Sequence, residues 1–64
     1  MATFQIRIDN QNYEGSPSRE EAEYLFKTVE KTCLKSYDGK EKSLVKIEAG
    51  KEEIIKKSTI KIVL

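Results

Sequence analysis

Only one stretch of this 64-residue chain repeats its apolar residues with the period of a helix, and the stretches on either side repeat theirs with the period of a strand. That arrangement restricts the fold to one helix laid on a sheet. Ser18-Arg19-Glu20-Glu21 opens the helix as an S-x-x-E capping box, in which the Ser18 hydroxyl and the Glu21 carboxylate each satisfy an otherwise orphaned backbone N–H. Pro17 just ahead suits a helix entry, and the acids of the first turn complement the positive end of the helix dipole. Ala22, Leu25, Phe26, Val29 and Cys33 follow at spacings of three and four, which gathers them on the face turned to the core. Gly39, after Tyr37-Asp38, is the natural left-handed stop, so the pattern predicts a helix over about residues 18–37.

Ahead of the helix, Phe4, Ile6 and Ile8 alternate with Gln5, Arg7 and Asp9, the mark of a strand with one buried face. Asp9-Asn10-Gln11-Asn12 tolerates left-handed backbone and predicts a turn into a short second strand around Tyr13-Glu14. Beyond the helix, Val45, Ile47 and Ala49 alternate with Lys46 and Glu48 as the inward set of a third strand. Gly50-Lys51 then signals a two-residue type II′ hairpin that would set Ile47 opposite Ile54 and Glu48 opposite Glu53. The second of these pairs is a like-charge pair, so a longer loop through Lys51-Glu52-Glu53 competes. Thr59 to Leu64 is strongly β-branched, with Ile60, Ile62 and Leu64 on one face, and Lys56-Lys57-Ser58 interrupts the pattern before it as a bulge or bend would. The expected fold is a single small α+β domain spanning residues 1–64 in ββαββ order. One amphipathic helix covers one face of a four-stranded, mainly antiparallel sheet; a three-stranded β-α-β-β version is the alternative.

A chain of this length buries only about 60% of the surface its unfolded form exposes, and a core of that size rarely supplies more than roughly 3–5 kcal/mol. Proteins this small often add disulfides, a metal or a partner subunit. Cys33 has no second cysteine to bond, and without histidine a zinc site lacks its usual ligands. Self-association is the device left. Hydrophobic residues make up 38% of the chain, and no apolar run approaches the ~20 residues of a membrane span. The start, Met1 to Arg7, alternates apolar and polar residues and shows no signal-peptide pattern. With a lone thiol, the expected compartment is the reducing cytoplasm.

Chemistry is sparsely equipped. Cys33 is the one strong nucleophile, with no histidine to activate it, and it falls on the same helical face as Phe26 and Val29. Glu20, Glu21 and Glu23 diverge around the helix and read as first-turn acids rather than a metal cluster. No enzyme activity, cofactor or metal is therefore expected. Two surfaces invite binding. Tyr24 points away from the core face of the helix, and Leu44 and Val63 are expected on the sheet face that the helix leaves open; these are the predicted protein-interface residues. Lysines form the second surface, with Lys27, Lys31 and Lys35 along the helix and Lys56, Lys57 and Lys61 near the end of the chain. These six are the phosphate-contacting set if the partner is a nucleic acid. The leading expectation is a small binding module that acts stoichiometrically on a protein partner as adaptor, inhibitor or regulator, and as a homo-oligomer. A nucleic-acid backbone binder is the alternative. A small ligand held between subunits stays open, although Gly15, Gly39 and Gly50 are isolated turn residues and form no phosphate cradle.

Overall fold

The computed structural model describes residues 2–62. Turn chemistry sets both hairpins. Asp9 and Asn10 both adopt positive φ, 54° and 66°, so β1 (Thr3–Ile8) returns as β2 (Gln11–Ser16) through a two-residue turn with the twist that antiparallel strands favour. Ala49 and Gly50 do the same at 52° and 75°, joining β3 (Glu41–Glu48) to β4 (Lys51–Thr59). That turn lies one residue earlier than the Gly50-Lys51 hairpin expected from sequence, and neither it nor the longer loop forms. The shift removes the like-charge conflict, because Glu48 now faces Lys51 and Lys46 faces Glu53.

The sheet order is β2-β1-β3-β4, with every neighbouring pair antiparallel. Strands β2 and β3 both oppose β1 and so run parallel to each other, and the connection between them carries the helix α1 (Arg19–Thr32) across one face of the sheet. Ser18 caps α1, its hydroxyl accepting the Glu21 N–H at 3.3 Å. The second half of the expected box is replaced: the Ser18 N–H donates to the Ser16 hydroxyl at 3.1 Å. Helix α1 ends at Thr32, short of residue 37. Cys33 is its C-cap, extended at ψ 166°, and a single 3₁₀ turn at Lys35–Tyr37 follows. A 20-residue helix spans about 30 Å, whereas a six-residue strand spans about 20 Å, so a helix running to Tyr37 would overshoot the sheet. Stopping at Thr32 lets the chain fold back and set the Tyr37 ring edge-on to Tyr13 at 6.3 Å.

Phe4, Ile6, Ala22, Phe26 and Leu44 form one buried cluster between helix and sheet, and Ile8, Val29 and Ile60 a second. Two bulges adjust the ladders. Tyr13 is the extra residue of β2 and turns onto the second cluster; Ile55 is the extra residue of β4 and turns onto the first. The irregularity expected at Lys56-Lys57-Ser58 therefore sits just before it. Strand β4 also occupies an earlier span than the expected Thr59–Leu64: Ile60 still bonds across to the Gly39 N–H and Lys40 carbonyl, and Val63 and Leu64 lie outside the described residues.

The alternation of β3 runs opposite to expectation. Leu44 pairs with Ile6 on the helix side and is 0% exposed, so it is a core residue and cannot line the open face. Val45 and Ile47 take the open side instead. The reversal follows from Lys42, which also lies on the helix side and is buried. Its ammonium donates to the Phe26 carbonyl at 2.6 Å, pairs with Glu30 at 2.7 Å and rests 4.4 Å from the Phe26 ring centroid. A lysine that reaches such partners can occupy a core position that pattern alone assigns to an apolar residue.

Candidate protein-interaction surface

The open sheet face is built from alternate residues of three strands: Gln5 and Arg7 on β1, Ser43, Val45 and Ile47 on β3, and Glu52, Ile54 and Lys57 on β4. Arg7 organises it. Its guanidinium donates to both carboxylate oxygens of Glu52, at 3.0 and 2.7 Å, to Asn12 at 3.0 Å and to Gln5 at 3.4 Å. Arg7 stands beside Ser43 and Glu52 beside Ile47, so the pair crosses β3 over the residue between them, Val45. This strap accounts for a valine on the uncovered face being only 1% exposed. The two-pronged geometry is the strong form of a carboxylate–arginine pair. The Glu52 carboxyl is held below the usual carboxylate range by the hydrogen bond from Arg7, and the same bond raises the Arg7 guanidinium.

Beyond the strap, Ile54 is 55% exposed on the same face. It lies on β4, which pairs with β3 on one side and, among the described residues, has no strand on the other. An edge strand of this kind presents a row of N–H and C=O groups to any extended chain that approaches. The opposite edge, β2, is shorter, bulged at Tyr13, and leads through Ser16 into the helix cap.

The residues singled out in the sequence scatter over the molecule. Tyr24 is 65% exposed as expected, on the outer side of the helix and so on the face opposite Ile54. Leu44 is buried, and Val63 lies outside the described residues. Lys27 and Lys31 are exposed on α1, while Lys35 follows it in the 3₁₀ turn and Lys61 lies past the end of β4. Lys56 turns to the helix side and pairs with Glu23 at 2.8 Å, whereas Lys57 turns to the open side and pairs with Glu41 at 3.5 Å. The hydrogen bond from Lys56 holds the Glu23 carboxyl below its ordinary range. The six lysines thus form no single surface.

Ile54 and the Arg7–Glu52 strap were missed in the sequence reading because both depend on which face β3 and β4 present, and the long-range register of β3 on β1 together with the Ala49-Gly50 turn sets that. Among the described residues no group of three or more His, Cys, Asp or Glu side chains could hold a metal ion, and no helix is long and apolar enough to cross a membrane. A surface hollow of about 220 Å³ between the β1–β2 turn and Tyr37 falls below the usual range for small-molecule sites. Comparison of the chain with family models, with curated proteins and with solved structures gives no match, so its own geometry is what speaks to its function.

Proposed function

We propose that this chain is a small, non-enzymatic binding module that acts stoichiometrically on a protein partner, as a homo-oligomer, through the β4 edge and the open sheet face beside it. The observation that carries this reading is Ile54, a large apolar side chain 55% exposed on an unpaired edge strand and next to a polar strap. Apolar area ringed by polar groups and flanked by free backbone donors and acceptors suits strand addition by a protein. A nucleic-acid backbone is less well served: Lys56 and Lys57 point to opposite faces, so the lysines line up no single row of cations along which a phosphate chain could run. The lone, half-buried Cys33 fits a reducing cytoplasm.

Size-exclusion chromatography with light scattering, run dilute and concentrated at low and high salt, tests the proposal. A species of two or more copies that persists in high salt supports it, since phosphate-type contacts weaken steeply with salt. A particle that remains one copy at every concentration removes the oligomeric part.

A further inference from the structure

We infer that the partner is a second copy of this chain, joined antiparallel through β4 so that the two sheets become one, with Glu53 of each copy beside Lys56 of the other and Glu52 beside Lys57. The inference rests on the reading of the β4 edge as the binding element, and names its occupant. Backbone, face and charge each bear on the register, and they agree.

The backbone limits which residues can meet. In an antiparallel ladder, successive residues turn their N–H and C=O alternately toward and away from the partner strand. Ile60 bonds inward to Lys40, so Lys57 and Thr59 turn outward. The pair that closes a two-residue hairpin, here Glu48 with Lys51, is hydrogen-bonded, so Glu52 and Ile54 turn outward on the other side of the bulge. Opposing Glu52 to Lys57 matches outward groups with outward groups in both halves of the symmetric contact.

The faces agree because of the bulge. A two-fold axis that joins two edges stands perpendicular to the sheet, so open face must continue into open face. In an unbroken strand Glu52 and Lys57 would point to opposite faces. The extra residue Ile55 puts Glu52, Ile54 and Lys57 on the open face, and Glu53 and Lys56 on the helix side. Each proposed pair therefore shares a face.

Charge selects this register from its neighbours. The run Lys51-Glu52-Glu53-Ile54-Ile55-Lys56-Lys57 has acids before the isoleucines and bases after them, so turned end for end it meets its own complement. Slipping the pairing by two residues one way sets Lys51 against Lys56; slipping it the other way sets Ile54 against Lys57 and loses every acid–base pair. Edge lysines and a bulge ordinarily keep strangers off a strand. Here the same lysines become the selective element for a partner whose acids stand in the matching order. Glu53 is the available half: it has no ion pair within the protomer among the described residues.

Cross-linking tests the register. In a Cys33→Ser background, Glu53→Cys and Lys56→Cys are prepared as separate proteins and mixed under mild oxidation. As a non-hydrogen-bonded pair their Cα atoms would lie about 4.5 Å apart, within the disulfide range, whereas two copies of residue 53 would be about three residues apart along the ladder. The mixture should cross-link, and neither protein alone should. In parallel, Glu53→Lys should raise the dimer dissociation constant about tenfold, and adding Lys56→Glu should restore it to within about threefold. A mixture that fails to cross-link while light scattering still shows more than one copy overturns this register and leaves the binding-module reading standing. A wild-type chain that stays monomeric at every concentration overturns both the register and self-association.

Discussion

Replacing Lys42 with methionine removes the buried charge that decides how β3 faces the helix. The side chain is 6% exposed, and its ammonium donates at 2.6 Å to the Phe26 carbonyl and at 2.7 Å to Glu30. Methionine keeps most of the stem volume, so no large cavity opens, and what is lost is the charged hydrogen bonding. Such bonds are each worth roughly 1.5–3 kcal/mol. Glu30 is 23% exposed and can turn its carboxylate to water, and methionine no longer buries an ammonium, so part of the loss of the two bonds is offset and the expected net loss is about 1.5 kcal/mol, one bond's worth. In a domain this small that lowers the melting temperature by roughly 6–12 °C. The pH dependence adds a second check. Burial works to raise the Glu30 carboxyl, but the hydrogen bond from Lys42 and the lesser favourable contributions outweigh it and leave it below its ordinary value. A carboxylate depressed on folding contributes stability that is present above its unfolded pKa, about 4.3, and is lost as pH falls through the folded value. Without Lys42 only the burial penalty and the helix's own hydrogen bond remain, so the gap between wild type and variant should narrow below about pH 4. Urea unfolding followed by far-ultraviolet circular dichroism, at neutral and acidic pH, measures both effects. A Lys42→Met protein as stable as wild type at neutral pH, with an unchanged pH slope, would refute the assignment.

Three further outcomes follow from the geometry. Ala49 holds φ 52° ahead of Gly50, so Ala49→Asn, which supplies the preferred Asn-Gly turn, should stabilise the protein by roughly 0.5–1 kcal/mol in urea unfolding. Leu44→Ala should cost about 2–5 kcal/mol and unfold much of the population by circular dichroism, whereas a leucine on the open face would barely register when truncated. The Glu52 carboxyl should titrate below the ordinary glutamate range by carbon-detected magnetic resonance, and Arg7→Gln should return it upward; an unmoved midpoint would show that the strap does not persist in solution.

Local signals were the legible part of this chain. Ser18 capped the helix, Asp9-Asn10 turned the first hairpin, and Ala22, Phe26 and Val29 faced the core because each depends only on residues a few positions away. The element order followed from them. What escaped was long-range. The alternation Val45, Ile47, Ala49 is as regular as Lys42, Leu44, Lys46, and nothing local says that Lys42 will find Phe26 and Glu30 across the interface. One inverted strand then moved Leu44 from the surface to the core. The helix end was misread because Gly39 was taken as its stop, whereas Thr32 ends α1 and Gly39, at φ 85°, serves the turn before β3. The lysine ridge failed as a surface because successive strand residues point to opposite faces, which separates Lys56 from Lys57, while the bulge at Ile55 decides that Lys56 takes the helix side.

The two left-handed turns also bear on how the chain reaches its native state. Each fixes the pairing of its own hairpin from within a dozen or so neighbouring residues, so β1–β2 and β3–β4 can zip on the microsecond scale of isolated hairpins. The join between them, from Thr3 beside Ile47 to Ile8 beside Lys42, spans the helix and closes the longest loop in the molecule. The entropy of that closure falls on a single strand pair. The rate-limiting barrier therefore belongs to β1 meeting β3, and truncations at Ile6 and Leu44 should slow refolding, whereas changes near Gly50 should mainly alter the unfolding rate.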